Sequence, residues 1–231
     1  MSAGAAQRRE RLVEVYREAS ICTKCPLAQS RTKVVFGAGD ANADLMFIGE
    51  APGAEEDRQG LPFVGRAGGL LNELLGGIGL TRGDVFVANV LKCRPPGNRD
   101  PQPIEIESCR PYLLRQVELI EPKVIATLGN FATKLITENQ TGITRVRGTP
   151  QVHTLGERTV HVLPILHPAA VLRNPHMRPT MEEDFRTLRD LAGAPELPQR
   201  EVTPPELPPP RLPASARPRT DQIDQLDIFS P

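Results

Sequence analysis

The chain has no excess of charge of either sign: 28 lysines and arginines balance 28 acidic residues, and the pI is near 6.9. That balance excludes a global positive field, so any nucleic-acid contact must come from local arginines making few phosphate contacts. No stretch of 18 or more apolar residues occurs, and residues 1–11 are charged without an apolar core, so neither a membrane span nor a signal peptide is expected. Cysteine is scarce, with four residues in 231. In the reducing cytoplasmic setting that these absences imply, thiols are expected to hold metal or do redox work rather than form structural disulfides. The glycine-rich loops have no following Gly-Lys-Ser/Thr and no dinucleotide-binding spacing, which argues against a nucleoside triphosphate site.

The four cysteines are themselves ordered. Cys22-Thr23-Lys24-Cys25 precedes Cys93 and Cys109, and a proline follows each half, at Pro26 and, after Arg110, at Pro111. Thiolates so arranged suit a tetrahedral metal site or an iron-sulfur cluster. Redox catalysis fits less well, because the CxxC pair follows an amphipathic helical segment (5–19) rather than closing a strand-to-helix turn.

Four short apolar runs, 45–48, 85–90, 124–128 and 160–166, are rich in β-branched residues and do not alternate with polar ones. Such runs predict strands covered on both faces, hence an α/β fold: a three-layer α/β/α sandwich around a central four-stranded parallel sheet. Intervening helices are expected over 67–78, 104–120, 131–139 and 181–191, with right-handed crossovers. One domain is expected over 1–192. From 194 to 219 the chain carries nine of its 24 prolines, so 193–231 reads as a disordered Pro-rich linker that can reach on the order of 80 Å.

In a sheet of this kind the ligand site lies beyond the carboxyl ends of the strands. The informative loops all fall there. Gly49-Glu50-Ala51-Pro52-Gly53 follows the first run, and Gly-Leu-Pro-Phe-Val-Gly-Arg-Ala-Gly (60–68) continues it, with acids at Glu55, Glu56 and Asp57. Asn89 ends the second strand; its carboxamide can donate to O4 and accept from N3–H of uracil, whereas cytosine presents the reverse pattern. His167 precedes Pro168 at the end of the fourth and can donate to a developing oxyanion.

Together these motifs closely resemble the family 4 uracil-DNA glycosylases, members of the uracil-DNA glycosylase superfamily that carry a 4Fe-4S cluster. The resemblance covers about residues 22–191 and includes Asn-Val-Leu-Lys-Cys-Arg-Pro-Pro (89–96) and His-Pro-Ala-Ala-Val-Leu-Arg (167–173). It implies an enzyme that flips uracil out of DNA and hydrolyses its glycosidic bond, leaving an abasic site. It implies further that Cys22, Cys25, Cys93 and Cys109 ligate the cluster, Phe63 stacks on the base, Asn89 reads its edge and His167 faces O2. Gly49, Ala51 and Glu56 would complete the base pocket. Many uracil glycosylases carry a water-positioning aspartate where this chain has Ala51, so Glu50 is the first candidate for that task, with Glu56 and Asp57 behind it. Some iron-sulfur members capture uracil covalently through a histidine in the loop after the second strand. Here residues 93–100 contain none, so multiple turnover is expected.

Arg94, Arg99, Arg173 and Arg178 are the candidate phosphate contacts, and Leu172 the candidate wedge for the gap left by a flipped base. At the far end, Gln225-Leu226-Asp227-Ile228-Phe229 resembles the pentapeptide by which bacterial proteins bind the DNA sliding clamp. A cytoplasmic, nucleoid-associated monomer is the expectation. The alternative is a non-catalytic DNA-binding or clamp-associated module whose four cysteines hold structural zinc.

Overall fold

The computed structural model describes residues 3–199. In chain order the first elements are α1 (Ala3–Ser20), α2 (Leu27–Ser30), β1 (Ala38–Gly39), β2 (Leu45–Gly49), α3 (Ala54–Gln59), α4 (Arg66–Gly77), β3 (Phe86–Asn89) and α5 (Pro103–Ile120). Then come β4 (Val124–Leu128), α6 (Asn130–Thr137), α7 (Ile143–Val146), β5 (Gln151–Leu155), β6 (Arg158–Ile165), α8 (Pro168–Arg173) and α9 (Arg178–Ala192).

The sheet order is β1-β3-β2-β4-β6-β5, and β2, β3, β4 and β6 are mutually parallel. These are the four apolar runs read from the sequence. Period-two alternation sends their side chains to two separate cores, as a sheet buried on both faces requires. Met46, Ile48, Phe86, Ala88 and Ile125 join the layer of α1 and α5. Leu45, Phe47, Val87, Val124 and Ala126 join the layer of α4, α8 and α9.

Beyond the four-stranded sheet expected from sequence, an antiparallel strand closes each edge, β1 against β3 and β5 against β6. Neither reads as an apolar run. β1 has two residues, and β5 alternates half-buried and exposed positions before the buried Leu155, because its outer face meets solvent. The chain after α9 also stays with the fold longer than its composition predicts. Gln199 exchanges two side-chain hydrogen bonds with the Thr159 backbone, and Glu196 pairs with Arg158. The peptide 225–229 lies outside the described residues.

Strand order reverses between β2 and β4: the chain steps from β2 to β3 on one side, then crosses to β4 and β6 on the other. The crevice beyond their carboxyl ends is where a ligand fits in such a sheet. α9 is tied to the segment before β5 by Arg147, whose guanidinium pairs with both Asp184 carboxylate oxygens and donates to the Thr180 carbonyl. Asp184 is 1% exposed. Arg147→Met should therefore cost about 3–5 kcal/mol, because it strands a buried carboxylate, and Arg147→Met/Asp184→Leu should recover much of the loss. Chemical denaturation checks this; a single variant within about 1 kcal/mol of the parent protein would remove the pair from the account.

Candidate active site

A cleft of ≈ 580 Å³ opens at these strand ends. Its floor is set by strand register, since Gly49 of β2 stands directly beside Asn89 of β3. Pairing continues past the strands, with Val90 N–H donating to Gly49 O (2.9 Å) and Leu91 N–H to Glu50 O (3.0 Å). A Cβ on Gly49 would collide with Asn89 Oδ1 and lie 2.8 Å from Phe63 Cζ, so only glycine lets a carboxamide and a phenyl ring meet over this backbone. Asn89 is 2% exposed, and among the described residues its side-chain amide has no hydrogen-bond partner. Its carboxamide lines the cleft, where its donor and acceptor are open to a ligand.

Phe63 sits at φ +53°, an uncommon conformation for a bulky residue, and its neighbours hold it there. Arg82 Nη2 donates to Pro62 O (2.9 Å), while Val64 and Gly65 N–H both donate to Glu56 Oε1 (3.1 Å each). Gly68 lies against the Phe63 carbonyl where no side chain fits. Burial lowers the Arg82 pKa to about 10.

His167 caps α8, its Nδ1 accepting the Ala169 N–H at 3.1 Å. With Nδ1 occupied as an acceptor, the proton is assigned to Nε2. Burial and then the positive charge of Arg173 push the His167 pKa down to about 4, so the ring is neutral at pH 7. Its ring centroid lies 5.8 Å from that of Phe63. Gly129 (φ +91°) makes room, since a Cβ there would come within 2.9 Å of His167 Cβ. Glu50 also lines the cleft, and its pKa is raised, first by burial and then by Asp100.

The cysteines converge at the opposite margin of β3. All four are free thiols, Cys93 and Cys109 buried and Cys22 and Cys25 half-exposed against the same core. Cys93 lies within electrostatic reach of Cys109 and Cys25, and Cys109 within reach of Cys25 and Cys22. Arg31 Nη1 bridges the two halves, donating to Cys22 O (2.8 Å) and Cys93 Sγ (3.4 Å). Burial pushes the Cys93 thiol up to about 11, with Arg31 pulling the other way, and raises Cys109. Among the described residues no three His, Cys, Asp or Glu side chains group closely enough to hold one metal ion.

Residues 36–191 match the Uracil DNA glycosylase superfamily. The chain is 49% identical over 190 residues to a type-4 uracil-DNA glycosylase of Sulfurisphaera tokodaii, covering 80% of this chain and 86% of that protein. It is 48% identical over 189 residues to the type-4 enzyme of Archaeoglobus fulgidus, covering 80% and 94%. The chain belongs to the uracil-DNA glycosylase superfamily.

As a member of that superfamily it can be checked residue by residue against the sequence expectations. Glu50, Ala51, Glu56, Phe63, Asn89, Arg99, His167 and Arg173 all line the cleft, above the floor made by Gly49. Several of the expected site residues also have partners within the fold. Both bonds from Glu56 Oε1 go to the Phe63 loop, and buried Asp57 accepts the Thr32 N–H, so both acids brace backbone rather than standing free for water. Arg99 is bound through both Nη atoms to the fully buried Glu105, which pins its loop to α5 and occupies the guanidinium expected to meet phosphate. Arg178 is likewise paired, with Glu73 and Glu182. Leu172 is half-buried and packs on the core of α4 and α9 rather than projecting as a wedge. Arg94 donates to Asn98 and does not line the cleft. Arg173 remains an exposed cation at the rim, without an ion pair among the described residues.

Sequence reasoning missed Asp100, Asn98 and Phe131 as lining residues. Phe131 follows the Gly129-Asn130 turn at a strand end and was findable from that position; Asp100 becomes significant only because its loop folds back toward Glu50.

His167 should appear by ¹⁵N NMR as a neutral ring protonated on Nε2 at pH 7, gaining a second proton only as the pH falls toward about 4. Arg173→Gln should move that titration upward, because it removes a charge that opposes protonation. A ring already cationic at pH 6 would contradict this arrangement.

Proposed function

We propose that this chain is a monofunctional uracil-DNA glycosylase acting in base excision repair, releasing uracil and leaving an abasic site. The observation that carries the reading is the convergence of three side chains on one cleft: the unpartnered Asn89 carboxamide, the braced Phe63 ring and the neutral His167 imidazole. A base within a duplex cannot reach such a cleft, so the nucleotide is extruded, at a cost of a few kcal/mol, and held on its face by Phe63 and on its edge by Asn89. Asn89 donates to O4 and accepts from N3–H; cytosine would leave those groups unpaired.

The bond from C1′ to N1 breaks with its electron pair going to the base, and His167 Nε2–H stabilises the charge that gathers on O2. A water oxygen bonds to C1′ and gives its proton to Glu50, whose raised pKa makes it a better base than an ordinary carboxylate. Arg173, with Arg94 farther out, meets phosphate.

The four cysteines fit a 4Fe-4S cluster. They come together from distant chain segments, with Cys93 within electrostatic reach of Cys109 and Cys25 and Cys109 within reach of Cys22, and four thiolates are the usual ligand set of such a cluster. Such a cluster would supply structural anchorage, tying the N-terminal segment to the loop that follows Asn89. The linker and Gln225–Phe229 would tether a monomeric enzyme to the sliding clamp, raising its local concentration at replicated DNA in the cytoplasm without narrowing its search.

Iron-replete full-length protein should generate abasic sites in uracil-containing oligonucleotides and show a broad visible band, with iron and acid-labile sulfide bound. His167→Ala should lose about 10²-fold or more in rate, and Asn89→Asp should weaken discrimination against cytosine. DNA binding with no abasic product, from colourless protein, would instead favour the zinc module. Removing 221–231 should abolish clamp-dependent stimulation while leaving the unstimulated rate intact.

A further inference from the structure

Lys92 stands between the two sites. It is 2% exposed, one residue before Cys93 and three after Asn89. Its Nζ donates to the Asn89 backbone carbonyl (2.8 Å) and to Gln116 Oε1 (2.5 Å), and lies 5.8 Å from the centre of the Phe36 ring. Gln116, itself fully buried, passes the connection on through Nε2 to Phe36 O (2.9 Å). The Lys92 backbone takes part as well: its carbonyl accepts Val35 N–H, and its N–H donates to the Cys109 sulfur.

A buried ammonium ordinarily demands a carboxylate. Lys92 has none: both acceptors at its Nζ are neutral, and among the described residues it forms no salt bridge. Burial pulls the Lys92 pKa down to about 7, Cys109 and then Cys93 act against that shift, and four thiolates holding a metal centre would be a net anion. The same side chain thus faces the charge of one site and grips the backbone of the other.

We propose that Lys92 is a positioning residue that compensates the negative charge of the metallated cysteines from inside the core and fixes the end of β3 from which Asn89 reads the base. This rests on the cluster and base-reading roles proposed above. Loading of the cysteine site is thereby felt at Asn89, through one ammonium and one carbonyl.

The test uses iron-loaded full-length protein and Lys92→Met, a side chain of similar length with neither charge nor donor. The midpoint potential of the cluster should move negative, since loss of a nearby cation disfavours the incoming electron. Uracil kcat/KM should fall about tenfold, as for loss of a hydrogen bond to a charged group. Combined with Asn89→Ala the variant should add little, because both act through the same residue. Should Lys92→Met not fold, Gln116→Leu removes one acceptor but keeps the charge; it should slow uracil release, again non-additively with Asn89→Ala. An unmoved potential in Lys92→Met, or additive losses in either double variant, overturns the proposal. Parent protein with no cluster band or no uracil release overturns the underlying functional reading instead, so the two failures are distinguishable.

Discussion

The close approach of two side chains over Gly49 is the constraint on which the rest of the site depends. Parallel register places Asn89 beside Gly49, and the absence of a side chain there admits both the carboxamide and the Phe63 ring. Everything nearby serves that contact. Gly68 gives the Phe63 backbone room to turn, Gly129 gives His167 room to pack, and Arg82 and Glu56 hold the chain on either side of Phe63. A recognition site that must discriminate one exocyclic group needs its donors fixed to fractions of an ångström, and backbone-to-backbone contact is stiffer than any contact between long side chains.

Much of the charge that looks chemical in the sequence is architectural in the fold. Glu56, Asp57, Arg99 and Glu105 all spend their polar atoms on loops. Glu56 braces the loop of Phe63, and Glu105 braces the loop that carries Cys93 and Arg99. Ionised side chains that hydrogen-bond backbone or form two-pronged pairs supply that rigidity.

The four parallel strands and the helices between them were legible, because a strand buried on both faces leaves an uninterrupted apolar run and its helical neighbours leave a different period. The edge strands were not: β5 mixes exposed Val152 and half-buried Gln151 and His153, a pattern shared with ordinary loops. The site was legible at Gly49, Asn89, Phe63 and His167, where a strand end meets an unusual residue type. Bonding partners were less so. Nothing near Arg99 in the sequence distinguishes a guanidinium bound for phosphate from one locked onto Glu105 six residues on, and Lys92 reads as an ordinary surface lysine until burial is known.

The balance of charges around the cleft has its own logic in the proposed reaction. Departure of uracil makes the sugar positive and the base negative, so a uniformly cationic pocket would help one fragment and oppose the other. Here Glu50 and Asp100 both line the cleft, burial and then Asp100 disfavour loss of the Glu50 proton, and His167 is neutral. A neutral imidazole donates through Nε2 without repelling the sugar cation, and burial first and Arg173 second make its protonation costly. The same arginine, without an ion pair among the described residues, would be the cation that meets backbone phosphate in the proposed reaction. On the proposed reading, one exposed charge would favour both DNA approach and the protonation state that base release requires, so a chain with no net charge need not rely on a global positive field to act on a polyanion.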